Sequence, residues 1–123
     1  MKKIVFTLLF LSLAVTGMSQ QGSYKVDKFC KEEVKTDGLK PEEFIPLYKL
    51  CVQHIEPQNV VIGEKEIRFE LADDGVIELE CDVKQEDNRW FYEDLLVVEK
   101  IGKKKYVVRL KNDSPLMYLS KTE

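Results

Sequence analysis

Residues 66–84, EIRFELADDGVIELECDVK, decide the fold of this chain. On both sides of Asp73-Asp74-Gly75 apolar and charged residues alternate, which is the period of a β-strand that buries one face. We therefore predict a β-hairpin in which Leu71 lies opposite Ile77 and a three-residue loop ends on glycine. The outer face of this hairpin carries Glu66, Glu70, Glu78, Glu80 and Asp82, with Arg68 opposite Glu80.

This acidic face has two interpretations. One is a solvated surface whose charges keep strand edges from aggregating. The other is a docking face for a basic partner or a loose cation site. We favour the solvated surface.

Strand patterns continue to the end of the chain. We predict a second hairpin from residues 90–101 and 104–111, turning at Gly102-Lys103, and a last short strand over residues 116–119. The result is an antiparallel meander of about five strands, or six if residues 60–62 pair separately.

The second hairpin differs from the first, because its apolar side chains point to both faces. A bare second face would leave an apolar patch that soluble monomers tend to avoid. We expect Leu96, Val98 and Val107 to be covered, either by curling of the sheet or by a symmetric partner. These three residues are therefore the predicted interface if the chain self-associates.

Upstream of the strands the spacing becomes helical. Apolar residues recur among charges over residues 24–34, which predicts one short amphipathic helix. A second helix is expected with Pro46 at its first position. Its apolar stripe contains Leu47, Leu50, Cys51, His54 and Ile55. The predicted fold class is therefore α+β, with one or two short helices packed on the antiparallel β-meander.

The first nineteen residues have the pattern of a secretory signal. Lys2 and Lys3 precede an apolar run, and small residues follow it. The run is about twelve residues long, short of the roughly twenty that a membrane-spanning helix needs. We predict a signal peptide over residues 1–19 and a single domain over residues 20–123. The expected location is secreted or periplasmic, with no membrane span after processing.

The amino-acid composition limits the classes of partner that we expect. The chain has 19 basic and 22 acidic side chains, and removal of Lys2 and Lys3 increases the acidic excess. A nucleic-acid binder is more often basic, so we expect no nucleic-acid partner. The sequence has a single histidine and no glycine-rich phosphate loop, so we expect no catalytic residues, no metal and no cofactor.

The chain contains three cysteines, Cys30, Cys51 and Cys81. An exported protein resides where disulfides persist, and we predict a bridge between Cys30 and Cys51, with Cys81 as a buried thiol. Cys51 and His54 share a face of the predicted helix, as a thiolate and its base or two metal ligands would. A thiol or metal-dependent enzyme is therefore the third of our functional hypotheses.

Aromatic residues of the later strands could serve a ligand. Trp90, Tyr92, Tyr106 and Tyr118 are the candidates for lining a cavity that takes a small apolar ligand. Core packing is the alternative use of these side chains in so small a domain.

Three short segments carry a resemblance to a known group. They are Ile67-Arg68-Phe69 before the first turn, Arg89-Trp90-Phe91-Tyr92, and Leu116-Met117-Tyr118-Leu119. Together they resemble the small lipocalin-like antiparallel meander domains of uncharacterised secreted proteins from Gram-negative bacteria. The resemblance covers roughly half of the chain and implies a meander.

Two functional hypotheses therefore lead. The first is a secreted or periplasmic, non-enzymatic domain that binds an unknown protein partner or itself. The alternative is a small-ligand carrier of lipocalin-like type that uses the aromatic side of the sheet.

Overall fold

The structure is a computed structural model, and it describes residues 20–72, 75–93 and 95–122. The strands are β1 Gly22–Phe29, β2 Pro57–Ile62, β3 Glu66–Leu71, β4 Val76–Glu80, β5 Val83–Glu86, β6 Arg89–Tyr92, β7 Leu96–Gly102, β8 Lys105–Leu110 and β9 Pro115–Lys121. One helical segment consists of α1 Pro41–Phe44, a 3₁₀ turn Ile45–Leu47 and α2 Tyr48–Cys51. In the described part of the chain no helix is long and apolar enough to cross a membrane.

All nine described strands belong to one antiparallel sheet. Its order is β4-β3-β2-β1-β9-β8-β7-β6-β5, so every pair of strands that are consecutive in sequence is adjacent in the sheet except β4 and β5. The pairing of β1 with β9 joins the first four strands to the last five. Strands β4 and β5 form the two edges, although they follow each other in the chain.

These two edge strands follow each other in the same direction across a short bend of the chain. Because every neighbouring pair is antiparallel, counting along the strand order shows that β4 and β5 run in the same direction. The Cys81 N–H donates to the Lys65 carbonyl at 2.8 Å, while the next residue, Asp82, accepts a bond from the Glu93 N–H at 3.2 Å. The chain therefore leaves β3 and joins β6 within two residues, and the sheet wraps into a half-barrel whose edges lie end to end.

The interior of the half-barrel holds the hydrophobic core. Phe69, Tyr92, Val98 and Val108 are each fully buried there. The helical segment adds Leu47, Leu50 and Cys51 to the same cluster. The rest of the cluster is Tyr24, Val60, Ile62, Ile67, Leu71, Leu79, Trp90, Leu96, Tyr106, Leu110, Leu116, Met117 and Leu119.

The predicted fold class is wrong. The described chain is a nine-stranded antiparallel half-barrel with one short helical segment, and not a five-stranded meander covered by one or two helices. The helix expected over residues 24–34 is in fact strand β1 followed by a turn. A bulge between Val26 and Lys28 inserts one extra residue, so that Tyr24, Val26 and Phe29 all turn toward the core. Inserting that residue changes the spacing from two to three, which imitates a helix.

The helical segment also differs from its prediction. Pro41 occupies the start of α1, and Pro46 lies inside the 3₁₀ turn rather than at the first position of a helix. His54 has a φ of 56°, and the Ile55 N–H donates to the Lys49 carbonyl at 2.9 Å, which closes a turn of seven residues past the end of the helix. His54 and Ile55 therefore lie beyond the helix and are exposed, not on the buried stripe.

The first hairpin has the predicted faces but a different register. Arg68 lies opposite Glu78 rather than Glu80, and the two form an ion pair at 3.1 Å. The Leu71 N–H donates to the Gly75 carbonyl at 2.8 Å, so the pairing is shifted by two residues from our expectation. A shift of two residues keeps each side chain on its face.

Charged side chains cover the outer face of the second hairpin. Glu99 accepts hydrogen bonds from the Nε atoms of Arg89, at 3.3 Å, and Arg109, at 3.1 Å. Val107 lies opposite Glu99 on one side and Tyr118 on the other, and it is fully buried. The long stems of such charged residues shield apolar neighbours from water. The protomer therefore covers much of this face with its own side chains.

Candidate functional site

The three predicted interface residues are all buried within one protomer. Leu96 and Val98 point into the half-barrel and belong to its core. Val107 points outward, opposite to our expectation that the three share a face, and is buried beside Glu99 and Tyr118. The self-association hypothesis therefore loses the support that it drew from these residues.

The structure brings together three of the four predicted ligand-lining residues. Trp90 and Tyr106 lie in the interior with ring centroids 6.3 Å apart, and Tyr92 is fully buried in the same cluster. Tyr118 lies on the outer face, apart from them. Tyr24, which the sequence placed on a helix, completes the interior group by packing edge-to-face on Tyr106 at 5.1 Å.

Interior polar groups find partners in one another. The Gln20 side-chain amide donates to the Tyr92 hydroxyl at 3.3 Å, and the Tyr24 hydroxyl donates to the Gln20 carbonyl. Among the described residues no buried side-chain nitrogen or oxygen lacks a partner. Burial raises the pKa of Tyr24 and of Tyr106, and it raises the pKa of Tyr92 to about 12. These tyrosines are neutral and hydrogen-bonded, as core residues are.

The buried tyrosines predict a loss of stability in alkali. A folded-state pKa raised above the ordinary value of 10.0 contributes stability below that value, and this contribution is lost as the pH rises toward about 12. The Tyr92→Phe variant should lose about 0.5–1.5 kcal/mol at neutral pH, since it gives up one hydrogen bond. Its stability should then fall less steeply above pH 10 than that of the wild type. Urea unfolding at a series of pH values measures both, and parallel alkaline curves would contradict the assignment.

All three cysteines are free thiols. The structure does not form the bridge expected between Cys30 and Cys51, which are buried on different elements: Cys30 follows β1, and Cys51 ends α2. Cys81 is half-buried at the β4–β5 bend. Burial raises the pKa of Cys30 to about 12 and of Cys51 to about 11, and it also raises the pKa of Cys81. None is an activated nucleophile, because the reactive form is the thiolate.

These thiols should resist alkylation in the folded protein. At about pH 8 only a small fraction of each would be thiolate, and Cys30 and Cys51 are also shielded from the reagent. We expect iodoacetamide to modify Cys81 first and slowly, and to modify all three thiols in denaturant. Intact-mass measurement counts the adducts. A denatured, unreduced sample that takes up only one adduct would instead reveal a disulfide.

Among the described residues, Cys51 and His54 do not form a metal site. Cys51 is buried, whereas His54 is exposed beyond the end of the helix. In the described ranges one group of three residues has ligand atoms within 4.8 Å of one another: Glu66, Glu78 and Glu80, all exposed. An exposed carboxylate cluster is common without a metal, and alone it defines no site.

A polar group that the sequence did not reveal lies at the β1 bulge. The Lys105 ammonium donates to Ser120 Oγ at 2.6 Å and to Asp27 at 3.3 Å, and Ser120 donates to Asp27. The hydrogen bond from Ser120 lowers the pKa of Asp27, and Lys105 adds to this effect. These hydrogen bonds join β1, β8 and β9.

The helical segment and the residues directly after it carry most of the large apolar side chains that are exposed among the described residues. Four of the six large hydrophobic side chains that are exposed in this part of the chain lie on the segment or directly after its end. They are Ile45, Tyr48, Val52 and Ile55, and we call them the outer helical stripe. The spacing of three and four residues places Ile45, Tyr48 and Val52 along one side of the segment and its C-cap, whereas Ile55 follows the end of the helix. Leu47 and Leu50 are fully buried on another side.

The chain was compared with protein-family models, curated proteins and solved structures, and no match was found.

Proposed function

We propose that the protein is a non-enzymatic interaction domain, which binds another protein or a second copy of itself through the outer helical stripe. The observation that carries the proposal is the stripe itself. Ile45 is 63 % exposed and Tyr48 is 47 % exposed, although the fold has a core that could have taken apolar side chains. A grouped apolar surface of this kind is typical of a protein-contact site.

The stripe also has the form of a known recognition mode. Ile45, Tyr48 and Val52 are three, four and seven residues apart along the segment and its C-cap, and apolar anchors at this spacing on a short helix fit a hydrophobic groove on a partner. Tyr48 lies in the middle of the stripe, and tyrosine is among the residues that dominate protein interfaces. Exposed charged residues such as Glu42 and Lys49 flank the stripe and supply a polar rim.

Mutation of the stripe tests the proposal. Light scattering after size exclusion, over a range of concentrations, reports the oligomeric state of the wild type. If the wild type self-associates, Tyr48→Glu should shift it to monomer, while Ile101→Glu, at a site that is 50 % exposed outside the stripe, should leave it unchanged.

If the wild type is a monomer, photo-crosslinking tests whether the stripe binds another protein. A photo-crosslinking amino acid at position 48 should then give a discrete protein adduct in producing cells, and the same group at position 101 should not. A monomer with no adduct specific to position 48 would overturn the proposal.

Export is part of the proposal. The signal pattern of residues 1–19 supports removal of this segment before Gln20. The intact mass of exported protein should begin at Gln20, and exported protein that retains Met1 would contradict this. The experiment also distinguishes the periplasm from the culture medium by where the protein is collected.

The small-ligand carrier remains the second hypothesis. It drew on Trp90, Tyr92 and Tyr106, and these side chains pack on core neighbours in the described interior. The exposed stripe therefore gives the interaction domain the stronger support.

A further inference from the structure

Among the described strands β4 has only β3 as a neighbour, so its other edge is unpaired there. At its two ends, Gly75 accepts a bond from Leu71, and Cys81 donates one to Lys65. The odd-numbered residues of β4 therefore direct their backbone groups toward β3, since these groups alternate along a strand. The even-numbered residues direct theirs to the other side. The bond from Glu93 to Asp82 follows the same alternation on the β6 side.

Three residues of β4 direct backbone hydrogen-bonding groups to that edge. Val76, Glu78 and Glu80 each present an N–H and a C=O there, and all three residues are exposed. Among the residues that the structure describes, none bonds to these outward groups. The 3₁₀ turn Ile45–Leu47 contacts β4 without a backbone hydrogen bond, and its buried residue Leu47 belongs to the interior cluster.

The negative charge along this edge is only partly compensated. Glu66 lies directly opposite Glu80, and with Glu78 their carboxylate oxygens come within 4.8 Å of one another. Arg68 pairs with Glu78 only, at 3.1 Å. Like charges directly opposite each other in a sheet are destabilising. A basic side chain brought to Glu66 and Glu80 would relieve that repulsion.

The other face of β4 has the opposite character. Ile77 and Leu79 point inward, where Leu79 is buried and Ile77 is partly buried against the core. A strand added to this edge would place alternate side chains on the two faces. Its outer side chains would meet the glutamates, and its inner ones would meet Ile77 and Leu79.

We propose that β4 binds an extended segment of a partner protein, in which Lys or Arg alternates with apolar residues, by adding it to the sheet as a further strand. The backbone groups of Val76, Glu78 and Glu80 supply the strand pairing. The carboxylates of Glu66 and Glu80 select the basic residues. This surface is distinct from the outer helical stripe and does not depend on it.

A second copy of the chain does not fit this edge. Two β4 strands paired antiparallel would bring glutamates of one copy close to glutamates of the other. Edge charges commonly prevent such pairing between copies. The same charges favour a basic strand, so the edge discriminates between the two.

Peptide binding tests the proposal. The probe is a fluorescent six-residue peptide of alternating Lys and Val, compared with a peptide in which the three lysines precede the three valines and with one of alternating Glu and Val. Fluorescence anisotropy should show at least tenfold tighter binding of the alternating basic peptide than of either control. Its binding should also protect the amide protons of Val76, Glu78 and Glu80 from exchange. Equal binding of the two lysine peptides would overturn the proposal, because it would show charge attraction without strand pairing.

Two matched pairs of variants locate the site. Glu78→Pro removes an outward N–H and spares the β3 ladder, whereas Glu78→Thr changes the side chain and keeps the donor. Proline should weaken binding at least tenfold relative to threonine. If the proline variant does not fold, Glu80→Lys should weaken binding at least tenfold, and Glu56→Lys, an exposed acid outside the strands, should not.

The proposals for the outer helical stripe and for the β4 edge can be contradicted independently of each other. Tyr48→Glu should leave peptide affinity unchanged, whatever it does to association through the stripe. Unchanged affinity in both Glu78→Pro and Glu80→Lys would overturn the strand-addition site.

Discussion

The Val98→Lys variant is expected to lose about 3–5 kcal/mol of its free energy of unfolding, the scale of an uncompensated buried charge. Val98 is fully buried between Trp90 on β6 and Val108 on β8. The new ammonium would have no acidic partner there. Such a loss is comparable with the whole stability of a marginal domain, so unfolding at room temperature is the expected extreme. Urea denaturation measures it, with the chain's single tryptophan as the probe.

The same substitution at Val76 is the matched control. Val76 is also a valine in a strand, but it is 53 % exposed. Val76→Lys should change the stability by about 0.5 kcal/mol or less, as surface substitutions usually do. If Val98→Lys were as stable as this control and changed only the oligomeric state, Val98 would lie at an interface and not in the core.

The Leu50→Ala variant is expected to lose about 2–5 kcal/mol, because it removes a fully buried side chain and leaves a cavity. This variant tests whether the helical segment is part of the core of the half-barrel. Val52→Ala is its control on the same segment, at a side chain that is 40 % exposed. Thermal and urea unfolding compare the two. Equal, small losses would show that the segment is not anchored to the sheet.

The first hairpin shows what a period of two determines. The alternation around Asp73-Asp74-Gly75 correctly predicted which residues of β3 and β4 face the core. It did not determine the register, because moving one strand by two residues leaves every side chain on the same face. The ion pair of Arg68 with Glu78 follows from the register and could not be derived from the pattern.

Strand β1 shows how a single bulge defeats pattern analysis. Tyr24 and Val26 keep the strand period, but the extra residue before Phe29 changes it to the spacing of a helix. Because the sequence pattern did not predict β1 as a strand, other features of the fold could not be predicted either. Without it, neither the pairing with β9 nor the curvature of the sheet could be predicted, and the covering of Leu96 and Val98 was left open.

Neither proposed surface could be predicted in full from the sequence. The outer helical stripe depends on where the helix ends, and His54 adopts the left-handed conformation that a glycine would have signalled. The acidic residues of β4 were recognised from the sequence. That this strand has a free edge follows only from the order of the strands, which is set by contacts between distant parts of the chain.

The pairing of β1 with β9 has a consequence for when the protein can fold. The first described strand finds its second neighbour only in β9, so the half-barrel cannot be completed until the chain has been synthesised as far as Lys121. Contacts between such distant segments make folding slow. A nascent chain without β9 is kept from its native state in this way, and it would still be unfolded at the moment of the export that we proposed above.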